Sequence, residues 1–135
     1  MKVLILNGSP RNGGNTAIAL KEVADTYCPD RIIIEPSGVG KLSDVIKAVR
    51  DIDNNDIVLN SFTTVADAKK CKMYMKNFGE FFNNQIEFAK SIVLSHTKGL
   101  DDEKINQAVK LIREHNKNAT LITTDWNAID GADIL

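Results

Sequence analysis

Cysteine is scarce in this sequence, and the two copies form no recognisable motif. Cys28 and Cys71 stand far apart, with no Cys-x-x-Cys pair and no nearby pair of histidines. This pattern excludes a disulfide scaffold and a zinc-finger type of site, so we expect no metal centre. Cys71 falls on an apolar stripe of helical period, which predicts a buried free thiol.

An excess of charge of one sign is also missing. The formal net charge is -1, and no long run of Lys or Arg occurs. A polynucleotide or an acidic membrane surface is bound through a strong positive field, which this composition does not supply. We therefore expect neither a nucleic acid nor a membrane as a partner.

Long hydrophobic runs are absent near the first residue. Residues 3–6 form the only apolar run there, and a loop follows directly. Such a run is too short for a signal peptide or for a membrane-spanning helix. The sequence therefore predicts a cytoplasmic protein.

The composition is that of an ordinary globular chain. Its 135 residues are 43% apolar and 26% charged, which fits one domain, residues 1–135, with a substantial core. Apolar runs and helical periodicities alternate along the chain without a linker or repeat. We predict strands at residues 3–6, 31–34, 56–59, 92–94 and 119–124, and helices at residues 16–27, 42–52, about 66–82 and after Asp101 and Asp102, with Ser43 as a possible cap of the second helix.

This alternation predicts an α/β fold with a parallel sheet, because the connections are too long for hairpins. The fifth strand is rich in threonine, which suits an edge position. After it, the tail DWNAIDGADIL is too short and too broken for a full covering helix. A dimer partner or a missing C-terminal segment would each explain the uncovered face.

The first loop, residues 7–15, is built for an anion. Parallel sheets bind ligands outside the carboxyl ends of their strands, and the first strand usually lies beside that point. Unpaired N–H groups at the start of the next helix attract phosphate, and Arg11 adds a full charge. The other residues of the loop and of the helix start that suit an anion are small or polar: Gly8, Ser9, Gly13, Gly14, Asn15 and Thr16.

Known phosphate motifs fit this loop only in part. The spacing of Gly8 and Gly13 matches the first half of a Walker A loop, but Gly14 replaces its lysine. A dinucleotide fingerprint begun by Gly38 and Gly40 has Ser43 where its third glycine belongs, so this segment more simply turns the chain. Asn15 and Thr16 have a structural alternative as helix caps.

The stretch NGSPRNGGNT resembles the phosphate loop of the flavodoxin-like NAD(P)H-dependent FMN reductases. The segments NDIVLNSF, YMKNFGEFF and AKSIVLSHTKG are similar to later parts of that family more weakly. The resemblance implies a three-layer, doubly wound, five-stranded parallel sheet of order 2-1-3-4-5, with the last helix short or absent. The positions that match the family loop are Gly8, Ser9, Pro10, Arg11, Gly14, Asn15 and Thr16.

The same resemblance implies three groups of FMN-binding residues and no catalytic side chain. The phosphate would be held by Ser9, Arg11, Gly14, Asn15 and Thr16. The loop after the third strand, with Ser61, Phe62, Thr63 and Thr64, would contact the ribityl chain and a ring edge. The loop after the fourth strand, with Ser95, His96 and Gly99, would lie near the isoalloxazine ring.

The implied function is an FMN-binding NAD(P)H-dependent oxidoreductase that passes hydride through flavin to a small acceptor, as a homodimer. The alternative is a non-catalytic flavodoxin-like module, an electron carrier or an interaction domain. It is favoured by the missing Pro-x-Tyr segment after the third strand and by Gly79 and Glu80 in place of Asp-Arg. His96 and Trp126 have plain alternatives as a solvated loop residue and a core residue. The run of Lys69, Lys70, Lys72 and Lys76 is a solvated helix face or a site for the extra phosphate of NADPH.

Overall fold

The computed structural model describes residues 3–8, 30–52 and 57–129, with backbone alone for residues 3–8. By its internal contacts the chain divides into two compact units, residues 1–59 and residues 60–135. Each unit is described by itself below. The predicted first helix, residues 16–27, lies outside the described residues.

The described residues of the first unit, 3–8, 30–52 and 57–59, contain a pair of parallel strands and a helix. Strand β1 is Val3–Gly8, strand β2 is Arg31–Pro36, and the register runs from Val3 opposite Arg31 to Gly8 opposite Pro36. Helix α1 is Leu42–Arg50, with Ile46 and Val49 buried. Its N-cap residue is Lys41, without a side-chain cap, so the prediction of Ser43 as the cap is wrong: Ser43 lies inside the first turn.

The second unit, as far as residue 129, contains three parallel strands and three helices. The second of the three strands along the chain lies between the other two in the sheet, and the helices fill the crossovers. This arrangement follows from connections that are too long for hairpins. The elements are β3 Thr63–Asp67, α2 Cys71–Asn77, α3 Gly79–Phe88, β4 Ser91–Ser95, α4 Asp102–His115, β5 Thr120–Ile122 and a 3-10 turn Trp126–Ala128.

The core of the second unit is built around the central strand. Ile92, Val93 and Leu94 of β4 are buried on both faces of the sheet, as expected of a central parallel strand. Ile86 of α3 and Ile112 of α4 are fully buried with them. Each such side chain contributes about 1.5–3 kcal/mol of burial free energy, so this cluster dominates the stability of the unit.

A buried amide joins the end of α3 to the start of β5. The Nδ2 group of Asn116 donates to the carbonyls of Ile86 at 2.8 Å, Glu87 at 3.2 Å and Ala89 at 2.9 Å. Its Oδ1 atom accepts from the N–H groups of Asn118 and Ala119. The NH2 group and the oxygen of the Asn116 amide therefore both bind backbone groups at the ends of a helix and a strand.

The prediction for the third strand is wrong. Residues 57–60 have no regular structure, and the strand is Thr63–Asp67 instead. Its pattern alternates, with Thr64 and Ala66 buried and Thr63 and Val65 exposed, which is typical of a strand with one covered face. Residues 57–59 form a continuous apolar run just before this strand, and that run led to the wrong prediction.

The long helix predicted over residues 66–82 is also wrong. Ala66 belongs to β3, Ala68 lies in a turn, and the helical part divides at Phe78 into α2 and α3. The apolar residues at steps of three and four continued across a strand end and a helix break. Periodicity alone did not register either boundary.

The predicted five-stranded flavodoxin-like sheet of order 2-1-3-4-5 is wrong. The strands of the described residues form a two-stranded sheet, β1-β2, and a three-stranded sheet, β3-β4-β5. The order 2-1-3-4-5 followed from the family resemblance, and the strand assigned to its third position is not a strand. After β5 the described chain contains one 3-10 turn, Trp126–Ala128, and residues 130–135 lie outside the description.

Among the residues that the structure describes, no helix is long and apolar enough to cross a membrane. The single domain of residues 1–135 stays a prediction.

Cys71 is a buried free thiol, as predicted. Burial and, as the smaller cause, the carboxylate of Asp67 together raise the pKa of the Cys71 thiol from 9.0 to about 11. In the unfolded chain the thiol ionises near its ordinary pKa. The neutral thiol therefore contributes stability that is fully present below pH 9 and is lost as the pH rises toward 11.

Between pH 8 and pH 11, we expect the free energy of unfolding to fall by about 2–3 kcal/mol more in the native chain than in Cys71→Ala. The measurement is urea denaturation of both proteins at pH 8 and at pH 11. Other titrating groups, including Cys28, are common to both and cancel. Parallel pH dependences in the two proteins would contradict the assignment.

Replacement of Asn116 by alanine removes the amide contact of three carbonyls and two N–H groups, while the carbonyl of Ile86 keeps the hydrogen bond from the N–H of Ala89. We expect Asn116→Ala to lower the free energy of unfolding by about 2–4 kcal/mol. Asn118→Ala is the matched control, because this side chain is exposed, and we expect it to cost less than about 0.5 kcal/mol. Equal losses in urea denaturation would show that the amide is not the source.

Candidate functional site

Parallel strands place their carboxyl ends level, and each unit therefore has one edge where ligands of such sheets bind. In the first unit, Gly8 and Pro36 are opposite each other at the ends of β1 and β2. We call this the β1–β2 edge. In the second unit, Asp67 and Ser95 are opposite each other at the ends of β3 and β4, and we call this the β3–β4 edge.

The β1–β2 edge carries the start of the predicted phosphate loop. Because Gly8 ends β1, the glycine-rich segment begins level with the turn that follows Pro36. That turn is closed by a hydrogen bond from the N–H of Gly40 to the carbonyl of Ser37, at 2.8 Å. Glu35, the last residue but one of β2, is exposed and opposite Asn7.

The predicted phosphate-binding residues themselves lie outside the described residues. These are Ser9, Arg11, Gly14, Asn15 and Thr16. Their role as an anion site stays a prediction.

The β3–β4 edge brings together a carboxylate, an imidazole and a hydroxyl. The Nδ1 atom of His96 lies 3.4 Å from Oδ2 of Asp67 and 3.2 Å from Oγ of Ser95. The hydroxyl of Ser95 also donates to the carbonyl of Ala66 at 3.3 Å. Asp67 and Ser95 contact the same imidazole nitrogen, so the three groups do not form a relay of the nucleophile–base–acid type.

The carboxylate of Asp67 also orders the turn after β3. Its Oδ1 atom accepts from the N–H groups of Lys69 at 2.8 Å and Lys70 at 3.2 Å. The N–H of Ala68 donates to the carbonyl of Ser95 and extends the ladder by one bond. Asp67 therefore holds the turn after β3 and His96 of the loop after β4 at the same time.

The loop after β4 has an unusual backbone and an unpaired hydroxyl. His96 has a φ of 57° and Gly99 a φ of 75°, both in the left-handed region that favours glycine. Thr97 between them is 6% exposed, and its Oγ1 atom has no hydrogen-bond partner among the described residues. A buried hydroxyl in this state costs stability.

Trp126 is hydrogen-bonded to β4 next to the same edge. Its indole Nε1 donates to the carbonyl of Leu94 at 3.1 Å, while 54% of the residue stays exposed. It is therefore neither a core residue nor a free surface residue. Within the described ranges, no group of three His, Cys, Asp or Glu side chains is placed to hold a metal ion.

The structure separates two of the predicted residue groups. Thr63 is opposite Ser91 at the amino ends of β3 and β4, whereas Ser95 lies at their carboxyl ends. Four residues of strand place them roughly 13 Å apart. The loop of residues 61–64 was expected after the third strand, and this placement is wrong because β3 begins at Thr63.

The residues of that first group have structural contacts. Thr64 is buried and its hydroxyl donates to the carbonyl of Gln85 at 2.7 Å, while Ser61 and Thr63 share a hydrogen bond of 3.1 Å. The carbonyl of Phe62 accepts from the N–H of Lys90, whose ammonium lies 4.9 Å from the centre of the Phe62 ring. These contacts tie the start of β3 to the start of β4.

Sequence reasoning did not find Asp67, the residue that organises the β3–β4 edge. The apolar spacing over residues 66–82 predicts a helix that would include it. The available signal was the β-branched run of Thr63, Thr64 and Val65, which ends in an acidic residue and two lysines. A strand end followed by a polar turn is the pattern that precedes ligand sites in parallel sheets.

Three comparisons with known proteins bear on the identity of the chain. The family model described as CobW/HypB/UreG, nucleotide-binding domain, matches residues 12–123. The chain belongs to this family. The match starts inside the glycine-rich loop, so Gly8 to Arg11 lies before it. Comparison with curated proteins and with solved structures gave no match.

This family membership overturns the flavin interpretation. The family is a nucleotide-binding P-loop family, so the flavodoxin-like FMN reductase resemblance is wrong. The predicted oxidoreductase activity, the FMN cofactor with NAD(P)H as its reductant, and the alternative flavodoxin-like module are wrong for the same reason. The physical cause is that a glycine-rich loop before a helix binds any phosphate, whether it belongs to FMN or to a nucleotide.

The unpaired hydroxyl of Thr97 allows a test by a matched pair of substitutions. Thr97 and Thr64 are equally buried, at 6% exposure. Within the described residues, the hydroxyl of Thr64 has a hydrogen-bond partner and that of Thr97 has none. We expect Thr97→Val to raise the free energy of unfolding by about 1 kcal/mol and Thr64→Val to lower it by about 1–3 kcal/mol. Urea denaturation measures both, and a loss of stability in Thr97→Val would show that its hydroxyl is satisfied in solution.

Proposed function

We propose that this chain binds a nucleotide through its phosphate groups at the β1–β2 edge. The observation that carries the proposal is the match of residues 12–123 to a nucleotide-binding domain. The register of the first unit supports it, because the glycine-rich loop begins where β1 and β2 end together. Ligands of parallel sheets lie at such ends.

The loop after Gly8 supplies the groups that a phosphate needs. Backbone N–H groups of glycine-rich turns and of a following helix attract phosphate oxygens, and hydroxyl and amide side chains add hydrogen bonds. The residues proposed for this role are Ser9, Arg11, Gly14, Asn15 and Thr16.

The loop departs from a Walker A motif at two positions. Gly14 stands in place of the lysine that normally reaches the outer phosphates, and Asn15 stands in place of the Ser or Thr that follows it. Arg11 is the only cationic residue between Gly8 and Thr16. We therefore assign to Arg11 the charge that neutralises the nucleotide phosphates, and we derive no hydrolysis step.

We assign to Glu35 the magnesium ion that accompanies a nucleoside triphosphate. Its carboxylate is exposed at the end of β2, on the strand that pairs with β1. Magnesium is bound in proteins by one or two carboxylates together with phosphate oxygens, and in P-loop proteins by an acidic residue and a Ser or Thr hydroxyl. The proposed donors are the carboxylate of Glu35 and the hydroxyl of Thr16.

The cytoplasmic location and the homodimer expected from the sequence remain predictions. A cytoplasmic location agrees with a buried reduced thiol and with a nucleotide ligand.

We expect Arg11→Ala to weaken the binding of a nucleoside triphosphate by about 1.5–3 kcal/mol, because a charge-assisted hydrogen bond is lost. The measurement is titration with fluorescent methylanthraniloyl derivatives of ATP and GTP. Arg50→Ala is the matched control, since Arg50 is the last residue of α1, at the helix end that is farther along the chain from the end of β2, and the variant should bind as the native chain does. Absence of binding of both nucleotides to the native chain would overturn the proposed function.

The role of Glu35 has a separate readout. Native protein should bind the triphosphate about tenfold more tightly with magnesium than with a chelator, and Glu35→Gln should lose most of this difference. Asp44→Asn, an exposed acid of α1, is the control for the loss of one charge. An unchanged magnesium effect in Glu35→Gln would reject the carboxylate while leaving the phosphate site in place.

A further inference from the structure

A cluster of lysines follows β3 and is not used by the proposed nucleotide site. Lys69, Lys70, Lys72 and Lys76 are all exposed, and we call this set the basic face. No acidic residue occurs from Ala68 to Gly79. Among the residues that the structure describes, no carboxylate lies within ion-pair distance of these four ammonium groups.

The basic face is presented on an ordered backbone. Both N–H groups that begin it are held by Asp67 at the end of β3. Cys71 of α2 is buried. The ring of Tyr74 packs against the rings of Phe78 and Phe82, with centroid distances of 6.1 and 5.7 Å. The lysine positions are therefore fixed relative to one another, so that a partner does not have to order this segment on binding.

The outer side of α2 combines charge with apolar surface. Lys72 and Lys76 are one helical turn apart, and Met73 lies within about 100° of arc from both. Met73 is 43% exposed and Phe78, at the end of the helix, is 49% exposed. Met73 and Phe78 therefore add two exposed apolar side chains to this charged surface, which a partner segment with both acidic and apolar side chains can cover.

We propose that the basic face docks an acidic segment of a partner protein, with an apolar side chain of that segment against Met73. Carboxylates of a partner would relieve the mutual repulsion of four ammonium groups that lie beyond ion-pair distance of any carboxylate in the described structure. Lysines suit such a contact, because they act as flexible point charges and need no fixed bidentate geometry.

A polynucleotide fits the surface less well. The net charge of the whole chain is -1, so the attractive field decays outside this one face, whereas polynucleotide binding depends on a field that extends along a backbone. An anionic membrane fits less well too, because two exposed apolar side chains give little insertion.

The test uses the full chain and a short fluorescein-labelled peptide that repeats Glu-Asp-Leu, followed by fluorescence anisotropy. Lys72→Glu/Lys76→Glu should weaken peptide binding about tenfold, because two attractions become two repulsions. Lys110→Glu/Lys117→Glu is the matched control with the same change in net charge on exposed lysines of α4 and the loop after it, and it should change binding less than about twofold.

Two further variants separate the components of the contact. Lys72→Gln/Lys76→Gln removes charge without reversing it and should give an intermediate loss, which guards against a folding defect in the reversed variant. Met73→Ser should weaken the peptide about two- to threefold, because the apolar contact is lost while the charges remain.

Other outcomes overturn the proposal. Equal losses in the two charge-reversal variants would show that only net charge matters. Tighter binding of oligothymidine, or of phosphatidylcholine vesicles containing phosphatidylserine, with the same dependence on Lys72 and Lys76, would assign the face to a nucleic acid or a membrane. Absence of peptide binding at low salt would remove the docking role. None of these outcomes affects the nucleotide proposal, which concerns the other unit.

Discussion

The parallel ladder between neighbouring strands is the constraint on which both candidate edges depend. It sets Gly8 opposite Pro36 in one unit and Asp67 opposite Ser95 in the other. Since the side-chain period of a strand is two, a slip of one residue would turn every side chain to the other face and would move the polar groups out of line. The backbone hydrogen bonds therefore decide which polar residues can act together.

The chemistry at these edges is of two kinds. For the β1–β2 edge we propose phosphate recognition by loop backbone and short polar side chains, groups that bind phosphate without regard to the rest of the molecule that carries it. This explains why the loop of Gly8 to Thr16 matched a flavin family although the chain belongs to a nucleotide-binding one. The β3–β4 edge is organised by a single carboxylate, Asp67, which holds the turn before the basic face and contacts His96.

The parts of the fold that sequence reasoning predicted are those with strong and isolated patterns. The apolar run of β4 and the helix that begins after Asp101 stand between clear turn signals, and the structure has both elements at these places. The strand Thr63–Asp67 was missed because its burial alternates, and the helix over residues 66–82 was drawn too long because apolar spacing continued across Phe78. Local spacing carries no information about which strand end or helix break the surrounding packing selects.

The sequence by itself determined the glycine-rich loop after β1, the absence of its lysine, the buried character of Cys71 and the run of lysines after Asp67. These are consequences of residue type, such as charge, conformational freedom and apolar surface, and need no knowledge of distant neighbours. Only the tertiary structure decided that Asp67 lies beside His96 and that residues 61–64 lie at the opposite end of β3 from Ser95. It also decided that the hydroxyl of Thr97 has no hydrogen-bond partner among the described residues. These relations join residues far apart in the chain, and strand register and core packing, not local propensity, set them.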